Sequence, residues 1–261
     1  MLKKILEKLK RESTRKYIRN SQLIKSRNEG HFKRLRFYKS KGINFKNVLD
    51  IGACNGSWSL LVKSIFPGVN ILMLEANNDK EHILKKIGNY KIALLSSEAN
   101  KEVNYYKSLS DDASGNSIYL ENTNYKFIPE KRITTTLKLI VPKDVNYDLI
   151  KMDVQGSELD IIKGGLDIIK KTKFLLLELQ IFEYNKDAPM LSEVLTYLKN
   201  INFDLVDVFD LLYSSSGSLI QIDGFFVNRD FYDKKNSLQI WGRQLSKIGR
   251  QLRLEALILP Y

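Results

Sequence analysis

Apolar residues follow two rhythms along this chain, and the change from one to the other marks the elements. Leu2, Ile5, Leu6 and Leu9 fall at helical spacing among lysines and arginines, which predicts a helix over 2–19. Residues 20–41 stay basic, with the aromatics of HFKRLRFYKSKG, and Gly42 closes the segment. Strands and helices then alternate. NVLDIGA (47–53) reads as a buried strand, and Trp58, Leu61, Val62 and Ile65 form one helical face stopped by Pro67-Gly68. VNILMLEA (69–76) is a second strand, a lysine-rich helix runs to about Gly88, and YKIALLS (90–96) is a third strand.

The rhythm breaks over 97–146, where KEVNYYKSL, GNSIYLE and KRITTTLKLI read as short β-segments around the turn-rich SDDASGN. Alternation resumes with strand YDLIKMDV (147–154), a helix from Gly156 with Leu159, Ile162, Leu166 and Ile169 on one face, and strand KFLLLELQ (173–180). A helix at 190–200 presents Leu191, Val194, Leu195 and Leu198. FDLVDVFDLL (203–212) and SLIQIDGFFVN (218–228) have no helix-length spacer between them, so they pair antiparallel. Repeated βα units ending in a hairpin predict a mostly parallel sheet with helices on both faces. Leu238, Trp241, Leu245, Ile248 and Leu252 then set a seam for an amphipathic helix over 229–261, suited to packing on the N-terminal helix or forming a homodimer.

Composition narrows the class. With 261 residues, 43% of them hydrophobic, the chain can bury a large core. Its apolar runs, such as FLLLEL, fall far short of the ~20 residues of a transmembrane span. The lysine-rich start lacks the roughly 7–15-residue apolar core of a secretory signal. One cysteine, Cys54, excludes an intrachain disulfide and a cysteine-based zinc site. The expectation is a soluble, cytoplasmic protein without a transmembrane segment. The net charge of +12 is uneven: +13 over 1–46, −5 over 47–228 and +4 over 229–261. Basic ends either are solvated helices or meet an anionic partner, whether nucleic acid, a polyanionic substrate or the inner membrane face.

The candidate chemistry sits where VLDIGACNGSWSLL turns from the first strand into a helix. In an open α/β sheet, ligands bind beyond the carboxyl ends of the strands. Gly52 suits close backbone approach to a ligand, and Gly56 suits tight helix packing. Asp50 places a charge at the end of an apolar strand, and Glu75 ends the second strand nineteen residues past Gly56. A carboxylate there suits two ribose hydroxyls. A pyrophosphate wants more glycines and no competing acid at the turn. An adenosine ligand with an α-amino group, a sulfonium and no phosphate would tolerate Asp50, and S-adenosylmethionine has that make-up.

LDIGACNGSW, LEAN (74–77), LIKMDVQGSELDIIKGG (149–165) and IQIDGFFVN (220–228) together resemble the FkbM family of S-adenosylmethionine-dependent methyltransferases, over about residues 43–228. The Lys-x-Asp-x-Gln-Gly-x-Glu segment is its more specific mark. The chain departs from the family at Cys54, where Asn is common, and at Lys138, where an Asp is usual after TTTL. The resemblance implies a Rossmann-like class I methyltransferase fold, with a mostly parallel seven-stranded sheet, an antiparallel last strand, and helical N- and C-terminal extensions. It implies a basic extension over 1–42, a methyltransferase domain over 43–228 and a β-rich insertion, 97–137, over the pocket. It implies that Asp50, Gly52, Ala53, Asn55 and Gly56 surround the methionine moiety, that Glu75 holds the ribose, that Ala76 and Asn77 border the adenosine, and that Ala93 and Leu94 lie near the adenine. Ordinary strand-end packing explains Ala93 and Leu94 equally well.

Methyl transfer to a hydroxyl needs alignment and a base. Asp153, a charge ending an apolar strand, is the candidate base, substrate anchor or metal ligand, and Lys151 would position the acceptor or hold Asp153 ionised. Glu178 ends the next strand with the same oddity. Asp153 and Glu178 could share a Mg²⁺, but two acids do not establish a site and no metal ligand is assigned. Glu158 suits a helix N-terminus. Of the two histidines, His82 reads as surface and His31 as a residue able to cover the pocket. Asp111, Asp112, Ser114, Asn116 and Ser117 suit a sugar or an exposed turn. The leading expectation is O-methylation of a glycan, sugar nucleotide or related metabolite. The alternatives are a nucleic-acid methyltransferase using basic residues interleaved with Tyr17, Phe32, Phe37 and Tyr38, and a non-catalytic adenosine-binding or membrane-surface scaffold.

Overall fold

The computed structural model describes residues 28–109 and 115–231. The helices expected over 2–19 and 229–261, Tyr17, and the loop acids Asp111 and Asp112 with Ser114 lie outside the described residues. No described helix is long and apolar enough to cross a membrane.

The elements are α1 (Glu29–Ser40), β1 (Asn47–Ile51), α2 (Ser57–Ile65), β2 (Asn70–Glu75), α3 (Glu81–Leu84), β3 (Tyr90–Ile92), β4 (Glu102–Ser108), β5 (Phe127–Ile133), α4 (Leu137–Ile140), β6 (Leu149–Met152), α5 (Glu158–Gly164), α6 (Leu166–Ile169), β7 (Phe174–Gln180), α7 (Leu191–Asn200), β8 (Phe203–Tyr213) and β9 (Leu219–Asn228). Seven strands form one sheet in the order β3-β2-β1-β6-β7-β9-β8. Neighbours from β3 to β7 pair in parallel, and β9 runs antiparallel to both β7 and β8. Only the last strand is therefore reversed, as the helix-free link between the last two apolar segments requires.

Each central strand is buried on both faces, and alternation sorts its side chains. Leu49, Ile51, Ile150, Met152, Leu175 and Leu177 face α4–α7. Val48, Leu149, Leu176 and Phe225 face α1 and α2. The stripe of Trp58, Leu61, Val62 and Ile65 is buried as its spacing predicts, worth roughly 1.5–3 kcal/mol for each side chain.

Three expectations need correction. GNSIYLE is not a strand: Ser117 makes a single bridge to Tyr106 on the free edge of β4, and Glu121 a single bridge to Asn185. TTTLKLI ends in helix α4, whose Leu137 is wholly buried against Gly165; a Cβ there would lie 2.7 Å from that of Leu137. The lysine-rich helix shrinks to one turn after a 3₁₀ turn capped by Asn77, since Leu84 is the one fully buried residue it offers.

Helix α1 is fastened to the sheet by buried polar contacts. Trp58 Nε1–H donates to His31 Nδ1 at 3.0 Å, and an indole nitrogen can only donate. His31 therefore bears its proton on Nε2 and donates it to Asp223 Oδ2 at 2.6 Å. Arg34 and Tyr38 both reach Asp207 on β8. Replacing His31 by Ala leaves Trp58 Nε1–H and Asp223 without this partner, and is expected to cost about 1–3 kcal/mol. Urea unfolding followed by tryptophan fluorescence measures it, and an unchanged midpoint contradicts the stability assigned to these two hydrogen bonds.

Candidate active site

The β1–α2 turn is shaped by backbone rather than side chains. Gly52, at φ +75°, gives its N–H to Leu74 O (2.9 Å), and a Cβ on it would lie 1.8 Å from Asp153 O. No side chain fits between these strand ends. Gly56, at φ +71°, lies under Ile87 and Leu84, so its closest packing is against α3 and the residues after it. Cys54 adopts a left-handed φ of +50°, which turns its N–H to Glu75 Oε2 at 2.7 Å.

Glu75 is the centre of the cleft. Its Oε1 accepts the Asn77 N–H at 2.7 Å, so each carboxylate oxygen holds one backbone amide and keeps a lone pair. Burial pushes this carboxyl above its ordinary value, against the pull of the two amides. Asn77 spends its Oδ1 on the Asp79 N–H, and its buried Nδ2 has no hydrogen-bond partner among the described residues. A buried amide without a partner normally costs stability, so this one marks a place for a polar ligand atom. Ala76, Ala93 and Leu94 line the same cleft, as does Gly52.

The remaining cofactor candidates sit elsewhere. Asp50 is wholly buried on the α1/α2 face of the sheet, accepting from Ser59 Oγ at 2.7 Å and lying 3.4 Å from Lys151 Nζ. Ala53 is buried in the core on the same face, and Asn55 is exposed, its Oδ1 capping the Ser57 N–H. None of these three lines the cleft. The acid ending β1 is thus a partner for the lysine one strand away, which its spacing alone did not reveal.

Lys151 is 7% exposed and lies between Asp50 and Asp153, 3.2 Å from the latter. Their two charges keep it firmly protonated despite its burial. Asp153, at the cleft, exposes 40% of its side chain. Burial tends to raise its carboxyl, but Lys151 and nearby hydrogen bonds hold it below the ordinary carboxylate range. Glu178 goes the other way: burial and the Asp153 charge raise it well above the ordinary range. Gln155, with φ +55°, reaches both acids through Nε2, at 3.3 Å to Asp153 and 2.5 Å to Glu178. Glu158 folds back to accept the Val154 N–H at 3.1 Å, and burial pushes its carboxyl up to about 8.

Among the described residues no third ligating side chain joins Asp153 and Glu178; the group that comes together is His31, Asp210 and Asp223. A metal on His31 Nε2 would need a proton on Nδ1, where Trp58 already donates. These residues do not fit a metal.

The aromatics of α1 are spent within the fold. Tyr38 is buried, Phe37 lies under the Arg34 guanidinium (4.6 Å) and Phe32 under that of Arg36 (5.4 Å). The insertion contributes Tyr105, Asn116 and Ser117 to the cleft beside Glu75, so Asn116 and Ser117 belong to the same chamber as the acid ending β2. Spacing gave no sign of Tyr105, because in β4 it reads as one more strand aromatic.

Residues 50–205 match the family model described as the methyltransferase FkbM domain. Solved structures with similar chain paths include precorrin-6y C5,15-methyltransferase from Geobacter metallireducens (11% identity, TM-score 0.40, 70% of this chain and 80% of that one). The N-terminal domain of EvdMO1 with SAH bound aligns at 11% identity and TM-score 0.43, over 76% and 81% of the two chains. The ribosomal protein L11 methylase of Lactobacillus delbrueckii subsp. bulgaricus aligns at 13% identity and TM-score 0.40, over 76% and 78%. Among curated proteins, no sequence matches the chain.

Proposed function

Because the chain belongs to the FkbM methyltransferase family, whose methyl donor is S-adenosylmethionine, we propose that it methylates a hydroxyl of a glycan, sugar nucleotide or related metabolite, with Asp153 as the base. The observation that carries this reading is Asp153 at the cleft, 3.2 Å from the buried Lys151, whose charge holds the carboxyl below its ordinary range.

When bound, S-adenosylmethionine supplies an electrophilic methyl group. Glu75 has the free lone pairs to hold its two ribose hydroxyls, and the apolar wall of Ala93 and Leu94 suits the base. Asp153 accepts the proton of the acceptor hydroxyl as its oxygen is alkylated, and a base so placed contributes typically ~10²–10⁴-fold. Glu178 meets Asp153 through the Gln155 amide, which holds the base in place. Lys151 keeps Asp153 ionised without entering the cleft. The exposed edge of Asp153 supports a hydroxyl acceptor. Base stacking on α1 is not supported, since its aromatics already have partners.

Incubating the protein with methyl-labelled donor and a panel of sugar nucleotides and free glycans tests the acceptor class. Label on a sugar oxygen supports it; label on RNA or protein alone overturns it. For the donor site, Glu75→Ala is expected to weaken S-adenosylhomocysteine binding by one to two orders of magnitude, about 1.5–3 kcal/mol. Titration calorimetry showing wild-type affinity would remove the ribose role.

A further inference from the structure

The polar contacts of the buried Lys151 ammonium are loose. Its Nζ lies 3.2 Å from Asp153 Oδ2, 3.4 Å from Asp50 Oδ1 and 3.4 Å from Gly52 O, all at the ends of β1 and β6. A further wall is the indole of Trp58. The centre of that ring is 5.7 Å from Nζ, inside the ~6 Å over which a ring face attracts a cation. Trp58 is buried in the first turn of α2, and its neighbour Ser59 holds Asp50 at 2.7 Å. The start of α2 therefore shapes both the cage and one of its acids.

The indole is oriented from outside these strand ends. Its N–H donates to His31 Nδ1 at 3.0 Å, and His31 Nε2 donates to Asp223 Oδ2 at 2.6 Å. The imidazole also packs edge to face with Phe209 at 5.6 Å. His31 does not line the cleft, so it is not a cover over the pocket. Asp223 stands opposite Glu178 in the β7–β9 pairing, and the contacts thus run from the hairpin through α1 and α2 to Asp153. Packing explains the apolar contacts of α1. It does not explain why the buried imidazole is spent on the ring that faces the lysine.

We propose that His31 and Trp58 are positioning residues for the base: His31 fixes the indole, and the indole face keeps the Lys151 ammonium against Asp153. This rests on Asp153 as the base. It brings α1, which precedes the matched residues 50–205, into the machinery that prepares that base.

The test follows the Asp153 carboxyl directly, by NMR of protein carrying ¹³C at the aspartate side-chain carboxyl. Loss of the signal in Asp153→Asn assigns it, and melting temperatures check each fold. The charged groups facing the ammonium are Asp50 from β1, Asp153 after β6 and Glu178 from β7; His31 of α1 reaches it through Trp58. An ammonium less firmly held stabilises the carboxylate less, so the Asp153 midpoint moves to higher pH. Trp58→Leu removes the ring face, and His31→Phe keeps a ring without its nitrogens. Each is expected to raise the midpoint by about half a pH unit or more. His31→Gln retains an acceptor and a donor and should titrate with wild type. In a Trp58→Phe background there is no indole N–H to orient, so His31→Phe should add no further shift. Lower melting temperatures with the Asp153 midpoint unmoved overturn the proposal, as does a full further shift in the Trp58→Phe background. If Trp58→Leu and His31→Phe do not fold, the wild-type protein decides through the Lys151 side-chain protons. A ring face displaces them upfield, and ordinary positions overturn the contact. Single-turnover methyl transfer keeps the two readings apart: wild-type turnover in Asp153→Asn removes the base, whereas an unmoved midpoint removes the positioning.

Discussion

Asp153→Asn is expected to slow methyl transfer by about 10²–10⁴-fold while S-adenosylhomocysteine affinity stays within twofold of wild type. The substitution is nearly isosteric and leaves Lys151 its second partner, Asp50, 3.4 Å away, so the local fold has no reason to collapse. What is lost is the carboxylate whose side chain stands 40% exposed at the cleft. Glu178→Gln provides the contrast. Glu178 does not line the cleft and meets Asp153 only through Gln155, so this nearly isosteric variant should lose no more than a few-fold. Single-turnover rates with saturating donor separate the two, since binding then drops out. If the two acids instead shared a Mg²⁺, both variants would fail together and a chelator would abolish wild-type activity. Wild-type turnover in Asp153→Asn would leave the carboxylate no part in the reaction.

The sheet, its helical layers and the reversed last strand were legible because each rests on local spacing. Leu49, Ile51, Ile150 and Met152 show the continuous apolar character of doubly buried strands, and the Trp58–Ile65 stripe carries its helical period openly. Glu75 was legible for a similar reason, as an acid at a strand end where the fold places ligands. Asp50 was not. A strand-end acid can point into the cleft or across the sheet, and only pairing of β1 with β6, which sets Asp50 opposite Lys151, decides between them. The insertion was misread where strand propensity met only single bridges to two different segments, as at GNSIYLE. It was also misread where burial of a single residue, Leu137, bent a β-like run into a helix. Tyr105 and Arg132 belong to the part of the site that depends on contacts between distant segments. Arg132 reaches Ala76 from 56 positions away, and no periodicity encodes that.

Lys151→Met is expected to destabilise the protein by about 3–5 kcal/mol, because the ammonium answers two carboxylates in a place water does not reach. Asp153 can turn to solvent through its exposed edge, but Asp50 cannot. With Lys151 gone, Asp50 keeps the Ser59 hydroxyl at 2.7 Å, while its other oxygen is buried without a hydrogen bond among the described residues. A charge left that way either remains at high cost or takes up a proton, and both outcomes lower stability at neutral pH. For a domain of this size the loss corresponds to a fall in melting temperature of very roughly 10 °C. Removing the other half as well should recover much of it. Asp50→Leu in the Lys151→Met background replaces a buried pair by apolar groups, a change that is often neutral or stabilising. The double variant should therefore melt above Lys151→Met alone. The same single variant carries a catalytic readout that packing loss would not produce. Without the ammonium, the Asp153 carboxyl rises from its depressed position, so it is protonated at higher pH. The acid limb of the rate profile should then move upward, because Asp153 must be ionised to accept a proton. A Lys151→Met protein that melts with wild type, with its acid limb in place, would break the link between the buried lysine and the base it holds.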